Sequence, residues 1–179
     1  RTNLVDILDT GVDAVVFSGG KGMRGPQNTG LVLGSKAIVE AVRINASPYS
    51  AIGRSMKVGK EEIVGLVQAV ELFLSGSDLE DLTRWKQQAE TVVGALTGIP
   101  GVRASVVDSG QLLAPDVPRA LIAAEDENLL DNAVHALAAG DPPIVVYRNA
   151  NGIVVDLMTI QPGEEKLLAE RLFQTLTIG

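Results

Sequence analysis

The apolar positions of this chain change rhythm several times, and each change marks an element. Leu4 to Leu8 has helical spacing and stops at Gly11, a residue suited to a helix C-cap. Val12 to Phe17 is a mostly apolar run, predicting a strand buried on both faces. Gly30 to Leu33 predicts a second strand, and Lys36 to Ile44 a helix with Ile38, Val39 and Val42 on its apolar side. Asn45 to Gly59 is irregular and rich in Ser, Pro and Gly. Gly59 then opens a helix with Glu61 and Glu62 in its first turn, where the helix dipole favours acids. Ile63, Val67, Val70 and Leu74 follow at helical spacing, with further apolar residues around the circumference, so this helix is expected to be largely buried by core or by a partner.

From residue 77 the pattern is that of a compact α+β layer. Ser77 and Glu80 form a capping box for a helix that runs to about Leu96, with Leu79, Leu82, Ala89, Val92 and Leu96 as its inner stripe, stopped by Gly98 and Pro100. Trp85, the only tryptophan, reads as packing. Val102 to Val107 and Arg119 to Ala124 predict strands around a loop with Gly110, Pro115 and Pro118. Asp126 caps a helix carrying Leu130, Ala133, Val134 and Leu137, ended by Gly140 and Pro142. Ile144 to Arg148 and Ile153 to Leu157 form a hairpin across Asn149–Gly152, a strong turn signal. Pro162 opens the last helix, with Leu168 and Leu172 inward. Hairpins with helices on one face give an antiparallel α+β layer.

The chemistry concentrates between the first two strands. Ser18 to Gln27 reads SGGKGMRGPQ, with four glycines, a proline, Lys21 and Arg24 in ten residues. Glycine allows a sharp turn and close approach to a ligand. A phosphate-binding P-loop would need glycine six residues before the lysine and Ser or Thr after it; Val15 and Gly22 stand there. Gly20, Gly22 and Gly25 do match the spacing of a dinucleotide fingerprint, but a strand follows where that motif needs a helix. Two readings remain open on the residues alone. One is a Schiff-base lysine, with Arg24 as the cation that lowers its pKa or as a phosphate ligand. The other is an ordinary turn with a solvated lysine.

The charge is uneven. Residues 1–60 hold eight Lys and Arg against four Asp and Glu, whereas the whole chain of 179 residues carries −7. The acidic total argues against general nucleic-acid binding, which depends on neutralising phosphates. The basic part coincides with the glycine loop and suits a phosphorylated ligand. Forty-six per cent hydrophobic residues suffice for a real core, in one domain or one and a part. No apolar run is long enough to span a membrane. Zero cysteines exclude disulfides and thiolate metal ligands and are compatible with a reducing compartment. His135, alone in a helix, makes neither triad nor metal site; no metal ligand set is expected. Asp156 and Glu125 lie near strand ends with no partner visible in the sequence, and receive no role.

The string SGGKGMRGPQNTGLVLG, with Gly53-Arg54-Ser55-Met56-Lys57-Val58-Gly59-Lys60-Glu61-Glu62, resembles the selenocysteine-synthase-like group of pyridoxal-phosphate (PLP) enzymes. That group includes selenium transferases acting on seryl-tRNA and D-glucosaminate-6-phosphate ammonia-lyases. A second match comprises Gly140-Asp141-Pro142-Pro143-Ile144, Asp156, Thr159 and Pro162-Gly163-Glu164-Glu165. The resemblance spans about residues 10 to 172, with 78 to 138 matching only in pattern. It implies an α/β chain: the end of an aspartate-aminotransferase-like (fold type I) large domain, then a small α+β domain with an antiparallel sheet. The expected division is 1–76, holding the lysine loop and connecting helix, and 77–179. It further implies that the chain begins in mid-fold, as the C-terminal part of a longer cytoplasmic enzyme whose earlier strands complete the active site.

The resemblance also assigns roles. Lys21 forms the Schiff base with PLP and then acts as general base at the substrate α-carbon. Ser18 reaches the cofactor phosphate, and Gln27 shapes the loop or touches the cofactor. Arg24 and Arg54 bind anionic groups, with Arg54 directed to the substrate or to a neighbouring subunit's cofactor. Arg148, at the end of an apolar strand run, is a candidate for the substrate carboxylate. Selenium transferases tend to carry Asp before the lysine and Leu after it. Gly20 and Gly22 stand there, favouring the ammonia-lyase-like branch, a lyase acting on a small-molecule amine. A homodimer or higher homo-oligomer is expected from the family. A transferase acting on aminoacyl-tRNA and a non-catalytic oligomerisation module are the alternatives.

Overall fold

The structure is a computed structural model and describes residues 2–107 and 117–177. The chain divides into two compact units, Arg1–Ser77 and Asp78–Gly179.

In the first unit, helix α1 (Asn3–Asp6) and a 3-10 turn (Leu8–Thr10) end at Gly11, whose N–H donates to the Leu8 carbonyl at 3.0 Å. Strands β1 (Ala14–Ser18) and β2 (Gly30–Gly34) pair antiparallel, Ser18 opposite Gly30 and Ala14 opposite Gly34. Helix α2 (Lys36–Asn45) is capped by Ser35, whose hydroxyl accepts the Ile38 N–H at 3.3 Å. Helix α3 is Lys60–Ser75.

The burial expected of β1 changes here, and the burial expected of α3 is not supplied by this chain's core. β1 was expected to be covered on both faces, yet Val16 is 71% exposed. The sheet has only two strands among the described residues, so neither face gains a full layer. On α3 only Ala69 is buried, while Ile63, Val64, Val67, Leu72 and Leu74 are exposed. An apolar surface of this extent is characteristic of an interface.

The second unit closes its own core. Its sheet has the order β3 (Val102–Val107), β4 (Arg119–Ala124), β6 (Gly152–Asp156), β5 (Tyr147–Asn149), antiparallel throughout. Helices α4 (Asp78–Ala95), α5 (Glu127–Ala138) and α6 (Glu164–Thr177) supply the other layer, with α6 against both α4 and α5. The core joins Trp85, Ala89, Val92 and Leu96 to Leu130, Ala133, Leu137, Leu168 and Leu172, over Ile122, Ile153 and Val155. Asp126 caps α5 by accepting the Asn128 N–H at 2.9 Å. The Asn149–Gly152 turn is held by the Asn151 N–H donating to Asn149 Oδ1 at 2.9 Å. Gly110 and Pro115, expected in the β3–β4 loop, lie outside the described residues.

The inner stripe of α4 differs from the expected one. Leu79 is 74% exposed, and the inward positions are Trp85, Gln88, Ala89, Val92 and Leu96, with Leu82 packed against the core beside them. A polar residue sits on this stripe because α6 begins beside it. Gln88 Nε2 donates to Glu165 Oε2 at 3.1 Å and to the Gln161 carbonyl at 3.4 Å. Glu165 Oε2 also accepts the Gly163 N–H at 2.8 Å. The Gln88 amide, chiefly, holds the Glu165 carboxyl below the usual glutamate range; backbone N–H groups add to this and desolvation opposes it. A depressed carboxyl pKa stabilises the fold above the unfolded value and loses that contribution as pH falls through the folded one. Glu165→Gln is therefore expected to lower the melting temperature near pH 7 by about 2–5 °C. The difference from the parent protein should close below about pH 4. A gap of constant size from pH 7 to pH 3 would contradict this role.

Candidate functional site

β1 delivers the chain into an eleven-residue connection, 19–29, that returns as β2. The ladder continues one step beyond the strands, the Gly19 N–H donating to the Thr29 carbonyl at 2.9 Å. The connection then folds on itself. The Gly25 N–H donates to the Gly19 carbonyl at 2.8 Å, and the Arg24 N–H to the Lys21 carbonyl at 2.8 Å, making Lys21–Arg24 a closed turn. Thr29, buried, donates its hydroxyl to the Pro26 carbonyl at 2.6 Å. Gln27 Nε2 donates to the Gly20 carbonyl at 2.9 Å. A side chain at Gly20 would put its Cβ 2.5 Å from Gln27 Cα, so this approach requires glycine.

The loop sits on one face of α3. Gly65 lies under Pro26, where an added Cβ would be 2.9 Å from Pro26 Cγ, and one on Gly25 would be 3.1 Å from Ala69 Cβ. Asn28 Nδ2 donates to Glu62 Oε1 at 3.2 Å. Glu62, Gly65 and Ala69 follow helical spacing, so α3 presents a narrow small-residue seat. Met23 is buried, which anchors the tip of the loop and leaves Lys21, Gly22 and Arg24 facing outward.

Lys21 and Arg24 are the two charged residues of the loop, both exposed and both cationic. Neither is in an ion pair among the described residues. Arg24 adopts φ 57°, a left-handed conformation that costs an ordinary residue about 1 kcal/mol and that glycine would adopt freely. Ser18 ends β1 with its side chain exposed. Arg54 opens a 3-10 turn (Arg54–Met56) in the irregular Asn45–Gly59 segment and is exposed.

Arg148 belongs to the second unit, on β5, and its guanidinium is already engaged. Nε donates to Asp131 Oδ1 at 3.0 Å, Nη2 lies 3.8 Å from Glu127 Oε2, and Nη1 meets the Asn149 carbonyl. The second unit also holds an arginine that sequence reasoning passed over. Arg119 on β4 is 1% exposed, and its Nε donates to Asp156 Oδ2 on β6 at 2.9 Å. Asp156 Oδ1 accepts the Met158 N–H at 2.9 Å. The two residues are direct partners in the β4–β6 register, a relation that only the strand pairing creates.

No model of a protein family matches the chain. Among curated proteins it is 30% identical to D-glucosaminate-6-phosphate ammonia lyase of Salmonella typhimurium over 167 residues, 91% of this chain and 43% of the relative. It is 25% identical to L-seryl-tRNA(Sec) selenium transferase of Aquifex aeolicus over 192 aligned positions, 98% of this chain and 41% of the relative. The chain thus spans about two-fifths of the length of these relatives. Among solved structures, a D-glucosaminate-6-phosphate ammonia-lyase superposes with a TM-score of 0.73 at 26% identity, over 94% of this chain and 44% of the other. A serine palmitoyltransferase from S. paucimobilis superposes with a TM-score of 0.53 over 92% of this chain and 38% of the other; at 15% identity that likeness is one of fold alone. By sequence and by fold, this chain is a homologue of the selenocysteine-synthase-like group of pyridoxal-phosphate enzymes and shares their fold-type-I architecture.

Proposed function

We propose that the chain carries the lysine-bearing part of a PLP-dependent lyase active site, acting on an anionic, phosphorylated amino acid or amino sugar acid. The observation that carries this reading is the self-braced loop presenting an exposed Lys21, in no ion pair among the described residues, beside Arg24. The relative named as an ammonia lyase acting on a phosphorylated amino sugar acid supports the substrate class. In this reading residues 1–76 end the cofactor-binding domain and residues 77–179 form the small domain. The working enzyme is a homo-oligomer, in keeping with the exposed apolar residues of α3.

The donor set fits the cofactor. An outward amine, a hydroxyl at the strand end, a guanidinium, and a Gly22 whose missing side chain leaves open space suit a flat aldehyde bearing a phosphate. PLP, when bound, supplies the electron sink that makes the substrate α-proton removable. Lys21 Nζ would hold the cofactor through its aldehyde. As a free amine, Nζ would take the substrate α-proton, the proton transfer that loss of a β-substituent and of ammonia requires. Ser18 would hold the cofactor phosphate. Arg24 and Arg54 bind the substrate's anionic groups, Arg54 from its own chain or toward a neighbouring subunit. A substrate role for Arg148 would require it to leave Asp131.

The test is the visible spectrum of the full-length protein with PLP, followed by borohydride reduction and peptide mapping. An absorbance band trapped on Lys21 supports the reading, and label scattered over surface lysines defeats it. Arg54→Ala is expected to raise KM for a phosphorylated substrate about tenfold or more, with kcat at saturation little changed. A fall in kcat at unchanged KM would remove Arg54 from substrate binding. The transferase reading has its own support in the L-seryl-tRNA(Sec) selenium transferase match over 98% of the chain. It requires tRNA binding that survives physiological salt, and the acidic balance of −7 weighs against it.

A further inference from the structure

We propose that Gln27 is a positioning residue for Lys21, acting through the Gly20 carbonyl. The inference rests on Lys21 having the role given above. Lys21 lies between Gly20 and Gly22, the two residues that restrain a backbone least, so a Gly-Lys-Gly segment would by itself let the amine sweep a wide arc. Two bonds prevent this. The Gly20 carbonyl and the Lys21 N–H belong to one planar peptide unit, and Gln27 Nε2 grips that carbonyl at 2.9 Å. The next peptide unit, which carries the Lys21 carbonyl, is gripped by the Arg24 N–H at 2.8 Å. With both flanking planes pinned, the Lys21 Cα–Cβ direction is set.

The first of these grips comes from a side chain and the second from backbone. Gln27 is itself placed by the Pro26–Thr29 turn, where the Thr29 N–H donates to the Pro26 carbonyl at 3.2 Å and the Thr29 hydroxyl to the same oxygen. Pro26 in turn rests on Gly65 of α3. The path from helix to amine is therefore Gly65, Pro26, Gln27, Gly20, Lys21. Gln27 Nε2 is engaged in this contact, which makes the side chain a brace for the loop.

The experiment uses full-length protein with Gln27→Ala and Gln27→Glu, read in two ways. The first, made without cofactor, is hydrogen exchange at the Arg24 and Gly25 amides, whose acceptors are the Lys21 and Gly19 carbonyls. The second is the rate at which added PLP is trapped by borohydride on Lys21. Loss of one neutral hydrogen bond predicts exchange faster by about five- to tenfold in Gln27→Ala, with trapping slower by a similar factor. Gln27→Glu separates bracing from bulk. An ionised carboxylate turns a second acceptor toward the Gly20 carbonyl, whereas a protonated one can donate to it. Its exchange, compared with the parent at each pH, should match Gln27→Ala at pH 7 and return toward the parent below about pH 4. Unchanged exchange in both variants overturns the proposal, as does faster exchange with trapping on Lys21 unaffected. If the parent protein traps no PLP, the functional reading falls, and the exchange comparison still decides whether Gln27 fixes the Lys21 turn.

Discussion

Replacing Lys21 by alanine is expected to abolish borohydride-trapped PLP on the loop peptide while leaving the protein as stable as its parent. The stability half follows from exposure. The Lys21 side chain is outward and makes no hydrogen bond or ion pair among the described residues, so its removal should change unfolding by no more than about 0.5 kcal/mol. The loop's bonds run through the Lys21 carbonyl and the Gly20 carbonyl, both kept by alanine. The chemical half is large because, in the proposed function, one amine serves twice, holding the cofactor and moving the α-proton. Loss of a positioned base alone costs about 10²–10⁴ in rate. Lys21→Arg should be equally inactive, since guanidinium keeps the charge but stays protonated and cannot act as the nucleophile. Lys36, Lys57 and Lys60 are exposed in the same unit and serve as internal controls. Trapping that moved to them in the variant at the parent's rate would show that the loop lysine is not special.

Replacing Gly152 by alanine is expected to cost the second unit about 3 kcal/mol or more, enough to unfold a marginal domain at moderate temperature. Gly152 opens β6 at φ 138°, a conformation strained for any residue with a side chain. The space is also taken. A Cβ there would lie 2.1 Å from the Ile122 carbonyl oxygen and 3.2 Å from Ala123 Cα, both backbone atoms of β4. Backbone of an interior strand yields only if β4 and β6 part, and that would disturb the Arg119–Asp156 pair at the far end of the same ladder. Asn151→Ala, one residue earlier in the turn and exposed, keeps its backbone N–H on Asn149 and should shift the midpoint little. A thermal or urea melt of the two variants beside the parent decides it. A Gly152→Ala midpoint within a degree or two of the parent would mean that β4 does not run where its register puts it.

Local chemistry made much of this chain legible. Helix and strand alternate as the change from period 3.6 to period 2 implies, and Val102–Val107 and Arg119–Ala124 lie where their apolar runs do. Ser35 and Asp126 cap the helices that follow them, and Asn149–Gly152 turns the last hairpin, because each acts on N–H groups within three residues of itself. The loop at Ser18–Gln27 stood out for a similar reason, since glycines are dense where backbone must approach backbone, as Gly20 does Gln27.

Whatever depended on a second segment stayed hidden. The inner face of α4 is set by where α6 begins, so it takes in buried Gln88 and leaves out the expected Leu79. What covers β1 and α3 stayed hidden, because an apolar run states that a face is to be covered without stating by what. Arg148 ended against Asp131 and Glu127, and Arg119 against Asp156, through contacts that no spacing along the chain encodes. By itself the sequence determined the kind and order of the elements, their caps and turns, and the loop that bears the lysine, all consequences of forces acting over a few residues. Only the tertiary structure decided which charges pair, which helix face turns inward and how the lysine is held, because those depend on strand register and on side chains brought together from distant parts of the chain.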